Sequence, residues 1–493
     1  MGGAGDQRGV PSAPLRVAFD ATLLGARFSG VERAVAHTLA ALAATAPPQA
    51  RLAAYVGERF DAYEAEFHPG GLDPTGRLAL RRVPLDNANR LARLAWSQLS
   101  LARLARAAGD DLLHSPAYLC PLAGGLPRVL GLFDLIALDN PDLATRANRL
   151  NYGLWLPHCV RRAEAVVVPS EAVAEAVTRR WPAAAARLTV VPLGVEPRFA
   201  AAGEADVARV VERFRLPKRY VLWVGNVEPK KNVAVLLRAW SRAAELGLDL
   251  PQLVLAGALS WSSEGLCDDW LARGLQQQVR LLGRVADGDL PALYAGATAF
   301  AFPSLAEGFG LPPLEAMAAG VPVIAARIGA LSEVVGEAGL LVPPDDADGW
   351  ATALARVCDE PALAERLADA GRARAAEYSW ERTARATWAV YAQVLGRKDE
   401  GMARKGKQGD DERMWAGGTA DFDERTGRYK PARALIERIE RWIKATGRNE
   451  FGDPPDTVYA GGNPLFDMRT GETRDRHDYI LERHPEVREW EED

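Results

Sequence analysis

Short apolar runs alternate with longer helical patterns along most of the chain. Four runs in the first part are typical of buried strands: RVAF (16–19), DLLH (111–114), RVLGLF (128–133) and AVVVP (165–169). Six more follow in the second part: YVLWVG (220–225), LVLAG, VRLLG, AFAF, VPVIA and GLLVP (339–343). Helical patterns between them predict helices over 31–44, 91–108, 171–180, 233–246 and 290–295. This alternation predicts right-handed βαβ units, with parallel sheets covered by helices on both faces.

The number of strands predicts two sheets, because one open sheet of ten or more strands is uncommon. Near the middle, VPLGVEPRFAAAGEADVARVVERFRLP interrupts the alternation. We therefore predict an α/β protein with two doubly wound, Rossmann-like domains, at 15–195 and 216–396, joined by a linker at 196–215. Ligands of such sheets bind beyond the carboxyl ends of the strands, so we expect the site in the cleft between the domains.

Both ends of the chain differ from this pattern. Residues 1–14 have no apolar signal core, which predicts a flexible N-terminus. Residues 397–413 are polar, charged and glycine-containing, as in a linker. The remainder, 414–493, holds a quasi-repeat, in which WAGGTADFDERTG (415–427) matches YAGGNPLFDMRTG (459–471). We predict a small folded α+β appendage that binds a protein partner or positions the rest of the chain; a solvated tail is the alternative.

Composition excludes several classes of function. A net charge of −5 and a pI near 5.9 give no global reason to expect nucleic acid binding. The four cysteines have no metal-ligand spacing, which argues against a zinc site or a disulfide framework and fits a reducing cytoplasm. There is no H-E-x-x-H or G-x-S-x-G motif, so metal hydrolysis and acyl transfer have no support.

The stretch EGFGLPPLE places two carboxylates in different settings. The glycines favour a loop after the strand AFAF, and the two prolines suit the first turn of a helix that Gly320 ends. Glu307 is therefore expected on the loop and Glu315 in the first helical turn. A carboxylate near a helix N-terminus also has a purely structural role, which stays open for Glu315.

Three other loops are candidates for ligand contact. Gly30, in RFSGVERAV, precedes a helix whose N-terminal amides suit a phosphate, although an ordinary βα turn explains it too. Gly225 permits close backbone approach in VLWVGNVEPKKN, where Lys230 and Lys231 add charge near a helix start; solvated lysines are the alternative. His114 ends the strand of DLLHSPA, with a structural histidine as the alternative.

Taken together and in this order, these stretches resemble the family-4 retaining glycosyltransferases of the GT-B fold over about residues 15–395. The strongest signature is EGFGLPPLE followed by AMAAGVPVIA, with support from GNVEPKKN, FDLIALDNP and HSP. The longer form LLHSPAYLCPL is most similar to members that build bacterial surface polysaccharides. The segment from about 402 resembles no family that we can name.

The resemblance implies a nucleotide-sugar site with a role for each position. Glu315 would bind the nucleotide ribose and Glu307 the transferred sugar, while His114 would contact the donor sugar. Other implied contacts are the amides of Phe309, Gly310 and Leu311 at the diphosphate, Gly30 opposite them, Lys231 at the phosphates, and Arg284 and Val285 at the base. The implied catalytic residues are Glu307, His114 and Lys231.

The chain departs from the family at two positions. Many relatives carry arginine after the glycine at position 225, where this chain has Asn226. Arg33 or Lys230 would then supply the second positive charge at the phosphates, in addition to Lys231. Many relatives also read H-D-L-I where this chain has Phe133 in F-D-L-I, which bears on the acceptor side.

The resulting hypothesis is a cytoplasmic hexosyltransferase without metal or other cofactor. It would move a hexose, with GDP-mannose as the first candidate donor, to a glycan or lipid-linked acceptor in surface polysaccharide synthesis. The alternatives are a non-catalytic nucleotide-sugar-binding regulatory protein and a soluble disaccharide or sugar-phosphate synthase. The stretch from Asn89 to Gly109 interleaves leucines with arginines, as in a peripheral helix at the inner face of the plasma membrane. A solvated arginine face is the alternative.

Overall fold

The computed structural model describes residues 15–25, 29–67, 71–73, 75–258, 269–396, 422–423, 428–429, 442–443, 480 and 483–484. The chain divides into two units, Met1–Arg404 and Lys405–Asp493. The predicted flexible N-terminus, the linker at 397–413 and most of the predicted appendage lie outside the described residues. Within the second unit, the buried Trp442 packs its ring 5.0 Å from that of His484.

Seven parallel strands form the first sheet, in the spatial order β3-β2-β1-β4-β5-β6-β7. They are β1 Leu15–Asp20, β2 Ala50–Val56, β3 Leu78–Arg82, β4 Leu112–Ser115, β5 Arg128–Gly131, β6 Ala165–Val168 and β7 Leu188–Val190. The helices of this part are Gly30–Ala44, Phe60–Phe67, Arg90–Trp96, Ala102–Ala107, Ile136–Asp139, Arg146–Arg162 and Glu171–Arg180. The direction in which the strands are added reverses between β1 and β4, which creates a crevice there.

The second sheet has six parallel strands in the order β10-β9-β8-β11-β12-β13. They are β8 Tyr220–Val224, β9 Gln252–Ala256, β10 Val279–Gly283, β11 Ala299–Phe302, β12 Val323–Ala326 and β13 Gly339–Val342. The helices are Glu204–Phe214, Val233–Leu246, Leu290–Ala295, Leu311–Ala318, Gly329–Val335, Ala347–Asp359, Pro361–Ala376 and Trp380–Val394. The prediction of two doubly wound parallel sheets is confirmed, and the second crevice lies between β8 and β11.

Each of the ten predicted strands is present, and three further strands of the two parallel sheets were not predicted: β2, β3 and β7. β3 lies at the edge of the first sheet and is half-exposed, so its sequence LALRR carries arginines instead of a continuous apolar run. The segment predicted as a linker contains the helix Glu204–Phe214, whose Val210 is buried in the core of the second sheet. The predicted domain boundaries stay predictions.

The last helix, Trp380–Val394, packs against the first sheet's helix Gly30–Ala44. The indole N–H of Trp388 donates to the carbonyl of Leu42 at 3.2 Å. At its start, the hydroxyl of Thr383 donates to the carbonyl of Pro192 at 2.7 Å. These contacts tie the end of the second domain to the first and hold the two sides of the cleft together.

Candidate functional site

The predicted functional loops follow the strands that border the two crevices. Gly30 comes after β1 and His114 lies in β4, on the two sides of the first crevice. Gly225 follows β8 and Glu307 follows β11, on the two sides of the second. Parallel strands end at the same edge of a sheet, so each crevice collects the loops of two distant parts of the chain.

Glu307 and Lys231 form an ion pair in the loops after β11 and β8. The ammonium nitrogen of Lys231 lies 2.6 Å from a carboxylate oxygen of Glu307, and both side chains are about 12% exposed. Burial alone would raise the pKa of Glu307, but the charges of Lys231 and Lys230 hold it below its ordinary value. The pair is therefore ionised and places positive and negative charge side by side at the strand ends.

Glu315 is paired with Arg33, a residue of the first domain. One carboxylate oxygen lies 3.2 Å from the guanidinium, and the other accepts a hydrogen bond from the Tyr294 hydroxyl at 2.9 Å. Burial raises the pKa of Glu315 above its ordinary value despite these partners. Glu315 is the fifth residue of the helix Leu311–Ala318, just beyond the first turn in which it was predicted.

Arg33 lies 3.1 Å from Glu196 and 3.7 Å from Asp287, in addition to Glu315. Burial alone would lower the pKa of Arg33, but the three carboxylates raise it. Sequence reasoning missed Glu196, which lies in the predicted linker, and Asp287, which lies two residues after Val285 in LGRVADGDL. The two glutamates of EGFGLPPLE thus have different partners and opposite pKa shifts.

The glycines of EGFGLPPLE let two backbones approach each other across the cleft. A Cβ on Gly308 would lie 1.6 Å from the carbonyl oxygen of Phe133, in the first domain. The Ser170 hydroxyl donates to the carbonyl of Gly308 at 2.8 Å. Gly310 has φ +132°, a conformation that side chains rarely allow, and precedes the helix at Leu311. Pro312 and Pro313 have no N–H, and the amide of Leu314 donates to the carbonyl of Gly310 at 3.2 Å. The amide of Leu311 is therefore the one in the first turn that suits an anion.

The remaining predicted residues are spread along the cleft edge. Asn226 is exposed, whereas Val285 and Phe309 are buried, the latter with its ring 5.8 Å from that of Tyr378. Arg284 is half-exposed and lies 2.7 Å from Glu66 of the first domain. The structure brings together Lys230, Lys231 and Glu307 at one point, and Arg33 with Glu315 at another. The individual roles of all these residues stay predictions.

His114 is buried away from these two clusters. Its Nδ1 lies 2.5 Å from the hydroxyl of Tyr391 in the last helix, and its ring packs edge-on against Phe19. Burial lowers the pKa of His114 to about 3. Its packing favours the structural alternative, a neutral histidine that joins β4 to the last helix, and its contact with a donor sugar stays a prediction.

We expect His114 to make the fold sensitive to acid. Its folded pKa lies below the unfolded value of about 6.5, so its contribution to stability is complete above pH 6.5. Below that pH only the unfolded chain takes up the proton, and the free energy of unfolding falls by about 1.4 kcal/mol per pH unit. The free energy of unfolding is measured with urea at several pH values between 7 and 4.5. Below pH 6.5, its decrease per pH unit should be smaller by this amount in His114→Gln. The exposed His158→Gln is the control, and equal slopes in His114→Gln and the wild type would contradict the prediction.

A cavity of about 370 Å³ lies in the first domain beside the Lys230 loop. Its lining includes polar side chains from β1 and β4, from the loops after β4 and β5, and from two helices: Asp20, Ser115, Tyr118, Asp134, Arg90, Arg93, Asn148 and Tyr152. Sequence reasoning missed most of these residues. The F-D-L-I stretch was the available signal for Asp134, whose carboxylate accepts a hydrogen bond from the Tyr118 hydroxyl at 2.7 Å.

Comparisons with known proteins decide the family. A model of "Glycosyltransferase Family 4" matches residues 28–199, and one of "Glycosyl transferases group 1" matches residues 205–374. The O-antigen chain mannosyltransferase B of Escherichia coli is 32% identical over 318 residues, which are 62% of this chain and 80% of that relative. The chain belongs to the family-4 glycosyltransferases of the GT-B fold.

Another relative and two solved structures are also similar to this chain. The D-inositol 3-phosphate glycosyltransferase of Salinispora arenicola is 33% identical over 60% of this chain and 71% of its own length. Two solved structures share the fold: Anabaena HepE in complex with UDP and glucose, with a TM-score of 0.60 and 19% identity, and WaaG, a glycosyltransferase involved in lipopolysaccharide biosynthesis, with 0.58 and 16%. Each covers 77% of this chain and is itself covered completely. The protein is therefore an enzyme, and the non-catalytic alternative is less favoured.

Proposed function

We propose that this glycosyltransferase moves a hexose from a nucleotide diphosphate sugar to a glycan or lipid-linked acceptor in surface polysaccharide synthesis. The observation that carries the proposal is the pair of charged clusters at the two strand crevices, with Lys231 and Glu307 in one and Arg33 and Glu315 in the other. The first cluster offers partners for the diphosphate and the transferred sugar of the donor. The second offers a partner for its ribose. Mannose is the first candidate sugar, because the E. coli relative is named a mannosyltransferase.

The proposed chemistry is stabilisation of the departing nucleoside diphosphate. The amides of Phe309, Gly310 and Leu311 and the ammonium of Lys231 would face the charge that develops on its phosphates. For a reaction that retains anomeric configuration, Glu307 is the candidate for a double displacement. Its ion pair with Lys231 makes it a poor nucleophile, which supports attack from the same face, with the leaving phosphate taking the acceptor's proton.

We also propose that transfer needs no metal, because Lys230 and Lys231 already bring two positive charges to the strand ends. Burial alone would lower the pKa of Lys230, but Glu307 and Glu228 raise it, so this lysine stays charged. A transfer rate that survives an excess of EDTA would support this, and a rate restored only by added Mg²⁺ or Mn²⁺ would contradict it.

The test of the proposed function starts with the donor. Thermal melting with GDP, UDP and ADP should show stabilisation by one of them, since a ligand of the folded state raises the melting temperature. The corresponding nucleotide sugars, with mannose and glucose, are then assayed for transfer and slow hydrolysis. Stabilisation by none of the three diphosphates would contradict the proposal, and transfer to a soluble monosaccharide alone would favour the soluble synthase.

We propose a peripheral membrane contact at the helices Arg90–Trp96 and Arg146–Arg162. The side chains of Leu91, Leu150 and Leu154 are 77%, 76% and 62% exposed. No aspartate or glutamate occurs in 89–109 or 143–163, whereas both stretches carry exposed arginines: Arg103, Arg106, Arg146, Arg161 and Arg162. An apolar and basic surface of this kind suits anionic lipid. Within the described part of the chain, no helix is both long and apolar enough to span a bilayer. Sedimentation with anionic but not neutral vesicles would support the contact, and no sedimentation with either would contradict it.

A further inference from the structure

Two partly buried arginines of the cavity in the first domain differ from Arg33 in their partners. Arg90 donates to the side-chain oxygen of Asn148 at 2.5 Å, and Arg93 donates to the carbonyl of Asn87 at 2.8 Å. Among the described residues, neither guanidinium has a carboxylate within ion-pair distance. Arg33, by contrast, is surrounded by three carboxylates. A guanidinium has five N–H donors, so most donors of Arg90 and Arg93 remain available to a ligand.

The surroundings of the two guanidinium groups favour an anionic ligand. The guanidinium of Arg90 lies 5.6 Å from the ring centre of Tyr152, which is itself stacked on Tyr118 at 4.8 Å. Burial lowers the pKa of Arg93, and the nearby charge of Asp20 does not make up for the lost water. A partly buried cation with no carboxylate in direct contact has lost hydration that is not replaced, and an anionic ligand would replace it.

Four carboxylates line the cavity, and each has a partner other than these arginines. Glu228 lies 3.4 Å from the ammonium of Lys230, and Glu32 accepts a hydrogen bond from the Ser29 hydroxyl at 3.5 Å. Asp20 accepts hydrogen bonds from the amide and hydroxyl of Thr22, at 3.1 and 2.6 Å. Asp134 accepts from the Tyr118 hydroxyl and from the amide of Ile136. Their remaining lone pairs suit the hydroxyl groups of a sugar, whereas a planar guanidinium suits a phosphate, which it can bind through two parallel hydrogen bonds.

We propose that Arg90 and Arg93 form an anion site in this cavity and that the acceptor of the reaction carries a phosphate group which binds there. The inference rests on the proposed function, because it takes the cavity beside Lys230 as the place where the acceptor binds. The sugar of the acceptor would lie against Tyr118 and Asp134. The same phosphate chemistry occurs on a soluble sugar phosphate and on the head group of a lipid-linked saccharide.

The experiment compares phosphorylated and unphosphorylated probes on the full chain. Mannose 6-phosphate and mannose are titrated in one arm. Phosphatidylcholine vesicles with either a polyprenyl phosphate or a polyprenol are titrated in the other. Each titration is done with and without the nucleoside diphosphate found by thermal melting. The diphosphate fills the donor site, so the phosphate binding that remains in its presence belongs to the cavity. A charge-assisted contact of about 1.5–3 kcal/mol predicts a preference of roughly tenfold or more for the phosphate in at least one arm.

The variants Arg90→Gln and Arg93→Gln should each lose most of this preference. Arg93→Lys, which keeps the charge but not the planar donor set, should keep part of it. Arg103→Gln is the matched control, because Arg103 is exposed on the next helix and does not line the cavity. Melting temperature and nucleoside diphosphate affinity show that each variant is folded.

The arm that shows the preference identifies the source of the phosphate. No preference in either arm of the wild type, or an undiminished preference in Arg93→Gln, would overturn the anion site. Such a result leaves the proposed function intact if a nucleoside diphosphate still stabilises the protein. The proposed function fails separately, if no diphosphate binds.

Discussion

Glu307→Ala is expected to abolish sugar transfer while the affinity for nucleoside diphosphate stays within a few fold of wild type. The carboxylate lies on the loop after β11, and its partner is the ammonium of Lys231 at 2.6 Å. Removing it takes away the proposed partner of the transferred sugar. It also leaves Lys231 without its counter-ion, so the lysine can turn to the diphosphate instead. Calorimetric titration with the diphosphate and a transfer assay at saturating donor measure the two quantities.

Two companion variants separate the roles within this cluster. Glu315→Ala should weaken diphosphate binding, because Glu315 is the proposed partner of the ribose in the other cluster. Lys231→Ala should lower kcat/KM by roughly ten- to 150-fold, the equivalent of about 1.5–3 kcal/mol for a charge-assisted contact. Equal loss of diphosphate affinity in Glu307→Ala and Glu315→Ala would show that the division of roles is wrong. A wild-type kcat/KM in Lys231→Ala would remove the lysine from the site.

The local parts of this site follow from the sequence. The two prolines and two glycines of EGFGLPPLE determine where the loop ends and the helix begins, because few other backbone conformations are open to them. That is enough to place Glu307 on a loop and Glu315 in a helix. The buried parallel strands were predicted for a similar reason, since both of their faces need apolar residues.

The partners of these residues were not predictable in the same way. Tyr391 is 277 positions away from His114, and Glu196 is 163 positions away from Arg33. No periodicity connects residues at such distances, because the contact exists only once both sheets and the last helix are packed. The cavity has the same origin, since its polar side chains come from separate segments of the first domain and from the Lys230 loop.

Arg33→Ala is expected to destabilise the fold by about 3 kcal/mol, since loss of one partner of a buried ion pair leaves the other charge uncompensated. Glu196 and Asp287 would keep Arg198, which lies 2.9 and 2.6 Å from them. Glu315 would keep only the hydroxyl of Tyr294, and its side chain is 5% exposed. The cost therefore falls mainly on Glu315. Urea unfolding at pH 7.5 measures it.

The pH dependence of the same variant identifies Glu315 as the source. Without Arg33, the folded pKa of this carboxyl rises further above its unfolded value of about 4.5. The folded state then holds the proton more tightly than the unfolded state, so the variant loses stability relative to wild type as the pH rises through this range. The deficit should be smaller at pH 5 than at pH 7.5. Arg59→Ala is the control, because the exposed pair of Arg59 and Asp86 contributes at most about 1 kcal/mol. A deficit in Arg33→Ala as small as that of the control, or one that does not change with pH, would contradict a compensated buried charge at Glu315.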